Sequence, residues 1–382
     1  MVEERKKFYY SISTMIGTMI GVGIFGIPYV LSKSGFAIGI FYFLLLGFMV
    51  VAVNLFYGEI ILRTKEKHRL VGYANHYLGK WGKGIVTISQ IFGFYGALLA
   101  YIIIAGQFLY MLLSPIFGGT DFLYSLIFFG LGSLAILIGL AVIAEAEFVM
   151  SIFLLLTFLI ILFSALPVIN VNNFFTYNFN EFFLPYGVIL FSLGSLSAVP
   201  EAYEVLKGRG QSFKKIIKWG TIIPIIVTFL FAFAVVGVVG PNVTEEALGG
   251  LRNILGLKLF VFGIFFGILA VVTSFLVLGL NLKNIYRYDW KINKYLAWIL
   301  ACFVPLVIFL WGSRDFIKVI SITGGILGGL DGIVVCLIYL RAKKMGGRVP
   351  EYSLKFFKFL AYFVAFIFAI GIIYEIYYSL IK

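Results

Sequence analysis

The chain has 382 residues, 62% of them hydrophobic and 12% charged, about half the roughly 25% charge of a soluble globular domain. An ordinary water-soluble fold is excluded. The formal net charge of +13 would suit a polyanion such as nucleic acid only if the basic residues shared one surface, and their placement along the chain argues otherwise.

Apolar runs of about 20 residues, each long enough to cross a ~30 Å hydrocarbon core, recur from end to end. We place membrane spans at about 9–32, 36–62, 84–115, 122–144, 148–169, 182–205, 218–240, 258–282, 294–311, 317–340 and 357–380. The first begins within ten residues of Met1 and has no small-residue cleavage site after it. It is read as a retained helix and not a signal peptide. Its middle carries Gly17-Thr18-Met19-Ile20-Gly21-Val22-Gly23-Ile24-Phe25-Gly26-Ile27-Pro28. Glycine and proline leave backbone groups without helical partners, which lipid does not tolerate, so a broken segment at this depth must face protein or a cavity.

The second span ends with Glu59 one turn before Arg63, a spacing that favours an ion pair. The third carries Gly93-Phe94-Tyr95-Gly96, where Tyr95 is placed to close a site, and later Tyr101 and Gln107. The fifth contains no lysine. The sixth holds a second break, Phe191-Ser192-Leu193-Gly194-Ser195-Leu196-Ser197-Ala198-Val199-Pro200, followed by Glu201 and Glu204. The eighth has Ala270-Val271-Val272-Thr273-Ser274-Phe275, and the tenth has Asp331 after Gly324-Gly325-Ile326-Leu327-Gly328-Gly329. Cys302 and Cys336 both fall inside spans, so no disulfide framework is expected.

With the N-terminus inside, cytoplasmic segments collect 24 of the 30 lysines and arginines; the opposite side has only Lys33, Arg252, Lys258, Arg314, Lys318 and Lys382. This is the positive-inside pattern. It sets the expected orientation and eleven-span count, and it makes the excess charge topological, with no nucleic-acid partner. Spans 1 and 6 enter from opposite sides and are both interrupted, so two halves of five helices have opposite topology. Inverted repeats with broken helices are a transporter architecture. The expected fold is all-α: a ten-helix core over 1–345, with repeat one at about 9–170 and repeat two at about 182–342. A peripheral eleventh helix occupies 346–382.

A helix restarting after the first break presents the N–H groups of Val22, Gly23 and Ile24 and a positive dipole end, a site for a carboxylate. Carbonyls of Ile20 and of Phe191, Ser192, Leu193 and Gly194 suit an ammonium group or small cation. Both ends of an α-amino acid are thereby met. Phe191, Leu196, Phe275 and Leu278 are expected pocket walls, apolar enough for a neutral or aromatic side chain. The hydroxyls of Thr273 and Ser274 with the Ala270 carbonyl would supply oxygens to Na⁺, joined by the Gly17 and Ile20 carbonyls. The alternative is that both hydroxyls bond back to their own helix. The intramembrane acids Asp331, Glu201 and Glu59 are candidate proton carriers; Glu375 is read as structural. His68 and His76 lie together in a cytoplasmic loop with no nucleophile–base pair evident, which argues against a membrane enzyme. The absence of a filter-like carbonyl loop or charge ring argues against a channel.

The run from Met19 to Leu31 followed by Gly35 resembles the first helix of the amino acid/auxin permease family, within the amino acid–polyamine–organocation superfamily. Val272-Thr273-Ser274-Phe275-Leu276 and Ser197-Ala198-Val199-Pro200 are similar to its bacterial tryptophan/tyrosine permease branch. The resemblance covers essentially all eleven spans. It implies a LeuT-type 5+5 fold with discontinuous helices 1 and 6, and a site between helices 1, 3, 6, 8 and 10. It also implies amino-acid symport with Na⁺ or H⁺ by alternating access in the cell membrane, with an uncoupled exchanger or facilitator as the alternative. The spacing Ala270-x-x-Thr273-Ser274 is similar to the sodium-site helix of LeuT-like symporters. Some proton-coupled relatives place a lysine in the fifth span, where its ammonium can substitute for sodium; its absence here leaves that ion position free. No cofactor is expected beyond the coupling ion, and the protein is expected to act as a monomer in the bilayer.

Overall fold

The computed structural model describes residues 2–139, 144–206, 210–355 and 357–381, and the described residues contain helices and no strand. Lys207 and Arg209 of the third basic segment, the end of the expected fourth span at 140–143, and Lys382 lie outside them. In chain order the helices are α1 Val2–Met19, α2 Gly23–Ser34, α3 Phe36–Arg63, α4 Leu70–Phe117, α5 Asp121–Ile138, α6 Ala144–Ala165, α7 Leu184–Ser192 and α8 Ala198–Val205. They continue with α9 Phe213–Val239, α10 Arg252–Leu255, α11 Leu257–Asn284, α12 Lys294–Leu310, α13 Phe316–Ile322, α14 Gly329–Met345 and α15 Phe357–Ile381.

Among the described residues seven helices are long and apolar enough to cross a membrane singly, or eight if α1 and α2, bent by 52° at their break, act as one. The remaining expected spans are shorter apolar helices (Ile152–Val168 and α12) or the divided pair α7 and α8. Large apolar side chains stand exposed along the outer helices, among them Leu44, Ile88, Phe92, Leu131 and Phe366. A lipid-facing surface has this character and a water-facing one does not.

Three local features depart from the sequence pattern. A helix precedes the expected third span: α4 is two helices meeting at a kink at Gly79, whose φ of 78° and ψ of −163° are non-helical. The tenth span is interrupted by a π turn at Thr323–Gly328, which separates α13 from α14. The prolines do not make the breaks: Pro28 lies inside α2 and Pro200 in the first turn of α8. A first-turn position needs no intrahelical N–H bond, so proline is at no disadvantage at 200.

The core is built around the two interruptions. Helix α1 packs on α8, α2 on α7, and α9 closes over α1, α2 and α3. The last helix, expected as a peripheral addition, packs face to face on α14 and on the π turn.

Candidate functional site

The chain leaves helical geometry at Ile20–Val22 and again at Leu193–Ser197. The two breaks touch at Gly23, where a Cβ would stand 2.7 Å from the Ser192 Cα and 2.9 Å from a Phe191 ring carbon. Only glycine permits this approach without displacing backbone. No side chain caps α2 at Val22, and its first turn holds no acid. The Phe25 N–H is taken by the Val22 carbonyl at 3.1 Å, and the Ile24 N–H makes a long bond of 3.4 Å to the Gly21 carbonyl. Val22 and Gly23 have no backbone acceptor among the described residues, so the expected trio of open N–H groups reduces to two. On the other break the Phe191 carbonyl already accepts the Gly194 N–H at 3.1 Å.

A cavity of about 280 Å³ opens at this junction, near the lower end of the roughly 300–1,000 Å³ typical of small-molecule sites. Ile20, Gly21, Val22, Gly23, Phe191, Ser192 and Gly194 line it, as do Leu196 and Leu278. All five residues expected at an ion, Gly17, Ile20, Ala270, Thr273 and Ser274, line the same cavity. A Cβ at Gly21 would lie 3.3 Å from the Tyr101 hydroxyl and 4.0 Å from Ser274 Oγ, so α11 and α4 meet beside the first break. Thr273 donates to the carbonyls of Leu269 (3.1 Å) and Ala270 (3.0 Å), the back-bonded arrangement weighed against an ion ligand. Ser274 instead shares a hydrogen bond with Tyr101. These bonds use hydroxyl protons and leave oxygen lone pairs on Thr273.

Three residues expected at the substrate do not line the cavity. Ile24 is buried in apolar packing. Tyr95 is turned to the hydroxyl of Tyr286, 2.5 Å away. Phe275, one residue and so about 100° round the helix from Ser274, packs on Phe128 and fills the space left by Gly132 of α5. Gly93 lines the cavity, while the space beside Gly96 is occupied by Thr323.

The acids separate sharply. Asp331 lines the cavity, and its Oδ1 is buried with no hydrogen-bond partner; Ser89 and Gln90 stand beside the carboxyl. Ser192 Oγ is likewise buried and unpartnered in the cavity wall. Glu59 is elsewhere and fully committed. It pairs with Arg63 and Lys343 at 2.8 Å each and accepts from the Tyr339 hydroxyl and the Leu354 N–H at 2.9 Å. Glu201 is part-exposed and faces Arg69 at 4.0 Å, beside the Arg69–Glu204 pair at 3.4 Å. Neither lines the cavity. Glu59 is thus ion-paired away from the cavity, whereas Asp331 faces it with no cation beside its carboxyl among the pairs described.

Sequence reasoning missed several wall residues. Asn54 donates to Ser195 Oγ at 2.6 Å and to Thr221 Oγ1 at 3.0 Å, tying the second break to α3 and α9. A lone asparagine in a 28-residue apolar helix was the available signal. Ser89, Gln90 and Thr323 also line the cavity, and Phe368 reaches it from α15. Among the described residues no three His, Cys, Asp or Glu side chains cluster as metal ligands.

Two relatives align along most of their length. The tyrosine-specific transport system 1 of Haemophilus influenzae is 24% identical over 357 residues, covering 87% of this chain and 88% of that protein. Glutamine transporter 2 of Aliivibrio fischeri is 24% identical over 340 residues, covering 84% and 85%. Both are named as transporters, in accord with the reading that the chain is no enzyme. The sequence model of the tryptophan/tyrosine permease family matches residues 4–377. The protein is an integral membrane protein of the tryptophan/tyrosine permease family.

Proposed function

We propose that the protein carries a neutral amino acid across the cell membrane by cation-coupled symport and alternating access. One observation carries this reading: two helix breaks meet at a cavity, and one of them presents an uncapped helix N-terminus there. In this scheme the α-carboxylate takes the N–H groups of Val22 and Gly23, and the α-ammonium takes carbonyls of Ile20 and the second break. The names of the relatives support the class, since tyrosine and glutamine both have uncharged side chains.

The architecture we assign is the LeuT-type 5+5 inverted repeat with an eleventh helix, N-terminus cytoplasmic, acting as a monomer in the bilayer. The pairing of α1 with α8 and of α2 with α7 supports it, because the first half of each broken span then lies beside the second half of the other, as two spans of opposite direction require. For Na⁺, the ligands would be the hydroxyls of Thr273 and Ser274 and the carbonyls of Gly17, Ile20 and Ala270. For H⁺, the Asp331 carboxyl is the carrier; its Oδ1, buried without a hydrogen-bond partner, is the observation favouring it.

Reconstitution in proteoliposomes tests both levels. Labelled tyrosine or glutamine is expected to accumulate and to exchange against unlabelled amino acid on the far side; no saturable uptake and no exchange would refute carriage. With Na⁺ and pH gradients imposed separately, Thr273→Ala with Ser274→Ala should abolish a sodium dependence. If wild-type uptake follows the pH gradient in sodium-free buffer, Asp331→Asn should abolish accumulation while leaving exchange, and the sodium assignment falls.

A further inference from the structure

Read by sequence, α15 lies outside the repeat and looks dispensable, yet it reaches the cavity. Gly325 of the π turn and Gly329 and Gly332 of α14 face it. A Cβ on each would meet the Glu375 side chain (2.8 Å), Ile372 Cγ1 (3.0 Å) and the Phe368 ring (2.8 Å to Cδ2). Small residues at these positions let the two helices pack at close range. The register is fixed by Glu375, 2% exposed, which accepts from Ser321 Oγ at 2.7 Å. A second fixed point is Gly371, whose lack of a side chain admits the Tyr186 ring and hydroxyl. Held this way, Phe368 is 2% exposed and lines the cavity beside Asp331 and Gly332.

Resting on the carrier reading above, we propose that Phe368 is a specificity-determining residue that limits the size of the transported side chain, with Glu375 as the positioning residue that holds it there. The backbone groups at the two breaks are occupied by the α-carboxylate and α-ammonium, so the side chain must lie against walls that the breaks do not supply. The wall made by α14 and α15 is one of these, and Phe368 is its bulkiest member and its only contribution from α15 among the described residues. An aromatic ring there offers apolar contact and no charge, which suits a neutral side chain. Its volume is subtracted from a cavity of only about 280 Å³.

The test uses the full-length protein in proteoliposomes, with counterflow of labelled tyrosine or glutamine competed by unlabelled alanine, leucine, phenylalanine and tryptophan. Phe368→Ala should raise competition by tryptophan relative to alanine by about tenfold or more, the scale of hydrophobic-pocket discrimination. Phe368→Trp should shift it the opposite way. Tyr362→Ala and Phe366→Ala, on the exposed face of the same helix, should leave the ranking unchanged. Glu375→Ala should move the ranking as Phe368→Ala does, whereas Glu375→Gln, which still accepts from Ser321, should restore it. If Phe368→Ala does not elute as a folded protein, Phe368→Leu carries the same test with a smaller shift. An unchanged ranking, or a uniform loss for every competitor, overturns the proposal. Absence of counterflow in the unsubstituted protein would instead refute the carrier reading.

Discussion

At Gly23 and Gly21 the same residue type serves two different ends. Gly23 is required by backbone contact with Ser192, and a methyl group there must displace a helix end. Gly21 faces only side-chain atoms: a Cβ there would stand 3.3 Å from the Tyr101 hydroxyl, which need give by only a few tenths of an ångström, and 4.0 Å from Ser274 Oγ. We therefore expect Gly23→Ala to destabilise the detergent-solubilised protein by about 1–3 kcal/mol, the usual cost of overpacking. Gly21→Ala should melt near the unsubstituted protein and weaken substrate binding. Thermal melting and binding measured on the same samples check this; equal melting shifts would contradict it. The broken segments were legible because glycine leaves a plain mark in an apolar run. Which glycine bears the contact was not, because the sequence does not say what faces it. The prolines misled for a related reason: Pro200 falls in a first turn, where its missing N–H is immaterial.

Among elements, the segment joining α14 to α15 is fastened to the end of α3. Glu59, Arg63, Lys343, Tyr339 and the Leu354 N–H form one buried group, and the Tyr352 hydroxyl donates to the Leu55 carbonyl at 2.6 Å. Removing one member of a buried ion group strands its partners, at a cost of about 3–5 kcal/mol. Glu59→Gln should lower the melting temperature markedly, and combining it with Lys343→Met should recover part of the loss; an additive double variant would show that the pair is not coupled. The Glu59–Arg63 pair was readable from its one-turn spacing. Lys343 was not, because its approach depends on a fold that brings together residues 284 positions apart. Likewise Asp331 stood out as an intramembrane acid, but Phe368 was missed: Glu375, two turns on along α15, marks the face it shares, and what that face packs against is set by the glycines opposite.

For the whole molecule, the distribution of lysine and arginine predicts which ends meet which compartment. Cys302 and Cys336 are buried, so a new surface cysteine can be read against a low background. Lys33→Cys and Arg314→Cys should react with an impermeant maleimide on intact cells, and Lys65→Cys and Lys344→Cys only after permeabilisation; the reverse pattern would invert the topology. The helical character and the positions of most spans were legible because lipid imposes length and apolarity on each span separately. Angular relations between spans carry no such signature, and the π turn at Thr323–Gly328 shows why. A turn bonded i to i+5 holds one residue more than an α turn, which rotates everything after it by roughly 100°. A helical wheel drawn through 316–345 as one α-helix therefore mis-aims Asp331 relative to Ser321. The phase of this helix is set by its residue count, so deleting Ile326 should close the π turn to an α turn and leave Asp331 and the glycine face aimed as they are, whereas inserting one alanine after Leu327 should turn Asp331 away from the cavity and the glycine face away from α15.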